Sequence, residues 1–171
     1  MPRPSIGRVG TYLPLGFTSV PAIDAVRDAV RRLEQAGYDA VWSNEVIGGK
    51  DALVHLALLL ATTERMTLGT GIANIWAREP QTVHAAAAML AEAYPHRVVL
   101  GLGVGYPEQA TGAGRDFGKP LAMMRNYLQR MDSQTWRPAP EAAYPAGSWD
   151  RTSCWWSACR SPPTVRLPVG P

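Results

Sequence analysis

Apolar and polar positions alternate between two periods along the chain. Ile6–Pro14 ("IGRVGTYLP") reads as a first strand. In "PAIDAVRDAVRRLEQAG", Ile23, Val26, Ala29, Val30 and Leu33 recur at three- and four-residue steps, which predicts an amphipathic helix closed by Gly37. Tyr38–Glu45 ("YDAVWSNE") is a second strand. Asp51–Thr63 ("DALVHLALLLATT") is apolar around nearly its whole circumference, so a deeply buried helix is expected, with Asp51 near its start. Met66–Trp76 ("MTLGTGIANIW") is a third strand. A third helix lies within Glu79–Arg97, with Pro80 suited to its first turn. "VVLGLGVGYP" is a fourth strand, and the next helical period begins at Pro120 and runs to Asp132.

Successive β–α units predict parallel strands joined by helical crossovers, hence an α/β protein. Right-handed crossovers leave an open doubly wound sheet or part of a (β/α)8 barrel. The pattern stops near residue 145. "TWRPAPEAAYP" is proline-rich, and 146–171 has no period, both cysteines (Cys154, Cys159), three of the six tryptophans and no lysine. That mixture does not look selected for folding. The expectation is a domain over 1–145 and an irregular tail from a shifted or mis-terminated reading frame, the alternative being a poorly ordered but genuine tail. Translating the other frames past codon 145 checks it.

With 46% hydrophobic and 18% charged residues the chain is globular in class. The balance of 17 basic against 14 acidic residues argues against nucleic acid or an anionic membrane as partner. Three His and two Cys argue against a metal site. No secretory signal pattern is seen, and the run Ala52–Ala61 is too short to span a bilayer, so a cytoplasmic location is expected.

Candidate chemistry sits at strand ends. Gly101, Gly103 and Gly105 lack the Gly-x-Gly-x-x-Gly spacing that leads directly into a helix, and no P-loop Gly-Lys follows. Glycines in a barrel strand either leave room for a flat ligand or fit a crowded interior. Gly69 and Gly71 repeat the theme before Asn74, and Asn44 and Glu45 close the second strand. A strand-end carboxylate is a candidate acid, base or hydrogen-bond acceptor, or a solvent-facing charge. His55 and His84 read as helix-packing or partly exposed groups, and His96 as part of a helix-exit turn. Trp42 and Trp76 are either core or pocket wall.

Taken together, "GYDAVWSNE", "ATTERMTLGTGIANI" and "REPQTVHAAAAMLAEAYPHRVVLGLGVGYPE" resemble the luciferase-like monooxygenase superfamily, above all its coenzyme F420-dependent oxidoreductases, over about residues 6–145. The resemblance implies a TIM-barrel-like (β/α)8 fold, of which four strands, about the first half, are present. It implies a small-molecule substrate and F420 as cofactor, with FMN as the alternative. The chemistry would be hydride transfer, or monooxygenation in the flavin branches. It also implies a non-prolyl cis peptide at Gly71–Ile72 behind the ring, an acid beside the ring at Glu45, and a ring-flanking segment at Gly103, Val104 and Gly105. Asn44 and Asn74 join these as expected cofactor contacts. In many relatives a histidine follows the strand-two acid; Val46 stands there here, so no histidine-dependent step is implied. Open edges of a half barrel would pair with a second copy, so a homo-oligomer is expected, and a non-catalytic self-associating unit is the competing reading.

Overall fold

The computed structural model describes residues 6–13 and 21–133. The expectations for the proline-rich stretch and for 146–171 lie outside the described residues. In chain order come β1 (Gly10–Leu13), α1 (Ile23–Gln35), β2 (Ala40–Ser43), α2 (Ala52–Leu60), β3 (Thr67–Thr70), β4 (Ala73–Asn74), α3 (Pro80–Ala93), β5 (Val98–Val99), β6 (Leu102–Gly103), α4 (Pro107–Gly112) and α5 (Pro120–Asp132).

The main sheet has the order β1-β2-β3-β5, every pair parallel. Side-by-side succession with a helix after each strand is the barrel solution expected from the sequence, not the doubly wound one. One face packs on the helices: Leu13, Val41 and Leu68 join Val26 and Val30 of α1 and Leu53, Leu56 and Leu60 of α2 in a single core. Each fully buried aliphatic side chain of this kind contributes about 1.5–3 kcal/mol relative to exposure. The other face carries the row Tyr12, Trp42, Gly69 and Val99, aligned by the register. Its Tyr12 end is 47% exposed.

Local sequence explains the helix boundaries. Gly37 takes φ +87°, where a side chain is disfavoured. Its N–H donates to Glu34 O, and Tyr38 N–H donates to Leu33 O. These two bonds satisfy the last carbonyls of α1, and Leu33 and Tyr38 both pack on the core. Asp51 caps α2 by accepting from Leu53 N and Val54 N. Pro80 opens α3 at a position with no intrahelical N–H to lose. The second helix is buried apart from an outward stripe, where Val54 is 59% exposed.

Three expectations need correction. The strands at 66–76 and 98–106 are each split, into β3/β4 and β5/β6. The break lies at Gly71–Ile72, whose peptide bond is cis. There the Thr70 hydroxyl replaces ladder bonds, donating to Gly101 O and accepting from Gly101 N, both at 2.8 Å. Beyond the break, β4 resumes parallel pairing with β6. The strands at 6–14 and 38–45 shrink to four residues each. Finally, a helix starts directly after the glycine strand: α4 occupies Pro107–Gly112, where no helix was expected. Six residues are too few to show a hydrophobic period, so the pattern missed it.

Candidate active site at the strand C-terminal ends

The C-terminal ends of β2, β4 and β6 meet at one rim. Pairing continues across the break: Gly71 N donates to Ser43 O at 2.8 Å, Glu45 N to Ile72 O at 3.1 Å, and Ala73 N to Gly101 O at 2.7 Å. Gly71 O accepts from the Tyr12 hydroxyl at 2.7 Å.

Glu45 is 6% exposed and lies at the centre of the rim. Its Oε1 accepts from Ala52 N at 3.1 Å and its Oε2 from Asn74 N at 2.8 Å. Arg78 Nη1 donates to Oε2 at 2.9 Å, and Arg78 Nη2 pairs with Oε1. Arg78 Nε also donates to Asp51 Oδ2 at 2.9 Å. A buried carboxylate needs this much compensation, because desolvation costs several kcal/mol per ion (order of magnitude). Burial alone would lower the pKa of the Arg78 guanidinium; the bonds and charges of Glu45 and Asp51 outweigh that and raise it. Burial likewise pulls Asp51 upward, and the α2 amides with Arg78 overcome it to hold the carboxyl below its usual range. Tyr127, on α5, donates its hydroxyl to Arg78 O at 3.0 Å. The cluster thus ties β2, α2, β4, α3 and α5 together.

Asn74 is buried and works with its neighbours. Its Oδ1 accepts from Trp76 N at 3.0 Å, and its Nδ2 donates to Gln109 Oε1 at 3.0 Å. Trp76 is also buried, its indole N–H donating to Val104 O at 2.6 Å. Trp42 lies on the open face of the sheet over Gly69.

The glycines serve close packing of the strands. A Cβ on Gly69 would sit 2.4 Å from the Trp42 ring, and one on Gly101 2.2 Å from Thr70 O. One on Gly103 would meet the Ile72 side chain at 2.7 Å. Gly105 has φ +55°, and Gln109 Oε1 occupies the place of its absent Cβ. Of the two meanings open in the sequence, the crowded interior accounts for these positions. Asn44 is half-buried between Ser43 and Glu45.

A concave space of about 480 Å³ opens above this rim. Val46, Ile47 and Gly48 form one wall; Tyr106, Glu108, Gln109 and Gly112 form the other. Val46, noted in the sequence as the missing histidine, is therefore a lining residue. Arg78 and Gln109 escaped the sequence reading. Arg78 lies 33 residues from Glu45, beyond any local pattern. Gln109 did leave a signal, since a Gln three residues after an N-cap, here Tyr106, is a helix-start pairing. His55 is buried behind β2, with Nδ1 3.1 Å from Ser43 Oγ, and burial pushes its pKa down to about 4. Among the described residues there is no His/Cys/Asp/Glu cluster suited to a metal ion.

Known proteins share the sequence family and the fold of this chain. The model of a family described as luciferase-like monooxygenase matches residues 8–144. The chain is 36% identical over 117 residues to a Mycobacterium tuberculosis protein named as a candidate coenzyme F420-dependent oxidoreductase, covering 68% of this chain and 33% of that one. It is 32% identical over 120 residues to a 5,10-methylenetetrahydromethanopterin reductase of Methanolobus tindarius, covering 68% and 36%. The chain thus spans about a third of the length of these relatives. Among solved structures, the oxygenating constituent of 3,6-diketocamphane monooxygenase from Pseudomonas putida, in complex with FMN, superposes with a TM-score of 0.64 at 18% identity, over 72% of this chain and 37% of that one. Its likeness bears on the fold: parallel β–α units of the TIM-barrel type. With more than half of its residues matched by the family model, the chain belongs to the luciferase-like monooxygenase family.

Proposed function

We propose that the rim is the ring-binding part of an oxidoreductase site that takes coenzyme F420, or FMN, together with a small-molecule substrate. The supporting observation is the 480 Å³ space over the C-terminal strand ends, walled by Val46, Ile47 and Tyr106. An apolar cleft with few polar groups at strand ends is the usual form of such sites. The F420 name of the mycobacterial relative favours F420, and the FMN complex of the monooxygenase keeps FMN as the alternative.

The residues present fit a flat, partly polar ring. Val46 and Ile47 offer an apolar wall and Gln109 a polar group. Both cofactors also carry phosphate, and Arg78 is committed to Glu45 and Asp51. The ring end is therefore what these residues hold. When bound, the cofactor supplies the redox chemistry as a hydride or electron-pair carrier. The protein's part is to seat and orient it. In this reading Glu45, the catalytic candidate of the sequence as acid, base or hydrogen-bond acceptor, accepts from Asn74 N and Ala52 N and so sets the shape of the rim. The space itself is lined by other residues; in this reading Asn44, Gly71, Ile72, Asn74, Gly103, Val104 and Gly105 keep the cofactor-contact role expected from the sequence.

Titrating the full chain separately with F420 and FMN, while following ring fluorescence, tests the assignment. Saturable quenching by one of them is expected; no response to either overturns it. Two finer readings go with it. We propose self-association through the β1 and β5 edges and the exposed Tyr12 face, to be read from size-exclusion chromatography. Among the described residues no helix is long and apolar enough to cross a membrane. We propose a cytoplasmic location, which cell fractionation checks.

A further inference from the structure

Two backbone donors dictate the orientation of two side-chain amides at the rim. Trp76 N–H can only donate, so the Asn74 atom facing it is Oδ1. Asn74 Nδ2 is then the donor toward Gln109, and the Gln109 atom that receives it is Oε1. Tyr106 N–H, donating to the same atom at 2.8 Å, requires the same assignment independently. Gln109 cannot flip without setting donor against donor at both contacts. Gly105 locks the position further, because the carboxamide fills the space a side chain there would take.

The consequence is an oriented donor. With Oε1 doubly engaged, the half-buried Gln109 keeps its Nε2 hydrogens, which have no protein acceptor among the described residues and are open to the cleft. Gln109 also lines the cleft between α4 and the β2–α2 loop. The opposite wall, Val46 and Ile47, is apolar and offers no acceptor side chain. Glu108 stands next to Gln109, is exposed, and makes no ion pair among the described residues. Its negative charge disfavours a carboxylate or phosphate oxygen at this donor.

We infer that Gln109 Nε2 is a fixed hydrogen-bond donor that recognises a neutral carbonyl oxygen on the ligand in this cleft. The inference deepens the proposed oxidoreductase reading and rests on it for the site's use. The carbonyl belongs either to the cofactor ring or to a ketone-, ester- or amide-bearing substrate. In either case the donor fixes which edge of the ligand faces α4, and so positions it over the strand ends.

The test follows the Gln109 side-chain NH2 signals in the 15N-labelled full chain during three titrations: F420, FMN and cyclohexanone. Gln109→Glu retains the acceptor for Tyr106 N and Asn74 Nδ2 but replaces the donor by a charged carboxylate oxygen, so the neutral Gln109→Met, which also lacks the donor, is titrated beside it and must weaken binding as well. Movement of the Gln109 NH2 pair with F420 or FMN, and at least tenfold weaker binding in Gln109→Glu, assigns the carbonyl to the cofactor. Movement with cyclohexanone alone, again weakened at least tenfold, assigns it to the substrate. Fluorescence quenching by a cofactor while the Gln109 NH2 pair stays still under all three ligands overturns the inference and leaves the redox reading standing. Absence of both quenching and NH2 movement overturns the two together.

Discussion

Both ends of the sheet use carboxylates to receive backbone N–H groups, but in opposite settings. At the N-terminal strand ends, Glu34 accepts from Glu64 N, Arg65 N and Met66 N, at 2.8–3.2 Å. Asp39 accepts from Arg8 N and Val9 N at 2.9 and 3.2 Å. These groups are partly or fully open to water. At the C-terminal ends, Glu45 does similar work while buried, and there it is paired with the Arg78 guanidinium. Solvated carboxylates close loops at little desolvation cost. A buried one makes the rim rigid, and every partner then becomes essential. The C-terminal end thus concentrates its stability in a few mutually dependent groups, whereas the other end spreads it over independent ones.

That contrast can be broken most sharply at Arg78. Arg78→Met leaves Glu45 buried with its charge uncompensated, and a loss of about 3–5 kcal/mol in urea unfolding is expected. A loss below about 1 kcal/mol would make the rim no different from the opposite end.

The next effect is a pH dependence behind β2. Burial, helped by the Lys50 charge, keeps the pKa of His55 near 4, below the ordinary 6.5. Between those values the unfolded chain binds the proton and the folded chain does not. Stability is therefore full above pH 6.5 and declines as pH falls toward 4, by at most about 3 kcal/mol at 1.36 kcal/mol per unit. His55→Leu should flatten the curve in that window, read from urea midpoints at several pH values. Glu34 responds lower. Burial works to raise its pKa, but the three amides hold it below 4.5, so its contribution is present above that value and lost as pH falls further.

Thr70→Val removes the hydroxyl that both donates to and accepts from Gly101, at a cost of about 1–3 kcal/mol in the same assay. The smallest change belongs to the opposite end. Glu34→Gln keeps an acceptor but loses the charge, and about 1 kcal/mol or less is expected, since the group is partly solvated. If this variant cost as much as Arg78→Met, the comparison between the two ends would fail.

The fold was largely legible. Alternation at Tyr38–Glu45, helical steps from Ile23 to Leu33 and the apolar Ala52–Leu60 segment are local signals, and parallel succession follows from their order. The cap at Gly37 and the helix start near Asp51 were readable for the same reason. The site was legible only in part. Strand-end polar residues Glu45 and Asn74 stand out, but their partners Arg78 and Gln109 come from 33 and 35 residues away. No period links such positions. The glycines show the limit from another side: a missing Cβ looks identical whether a ligand or a tryptophan ring fills the space, and only the Trp42–Gly69 contact decides it.

The central claim is that ligand binds at the end where buried charge shapes the rim. Backbone amide shifts of the 15N-labelled chain, titrated with F420 and with FMN, test it most directly. The account predicts movement at Gly48, Ile72, Asn74, Gly105 and Tyr106, with Arg8, Val9, Arg65 and Met66 still. Movement confined to that second group, with the rim unchanged, would contradict it.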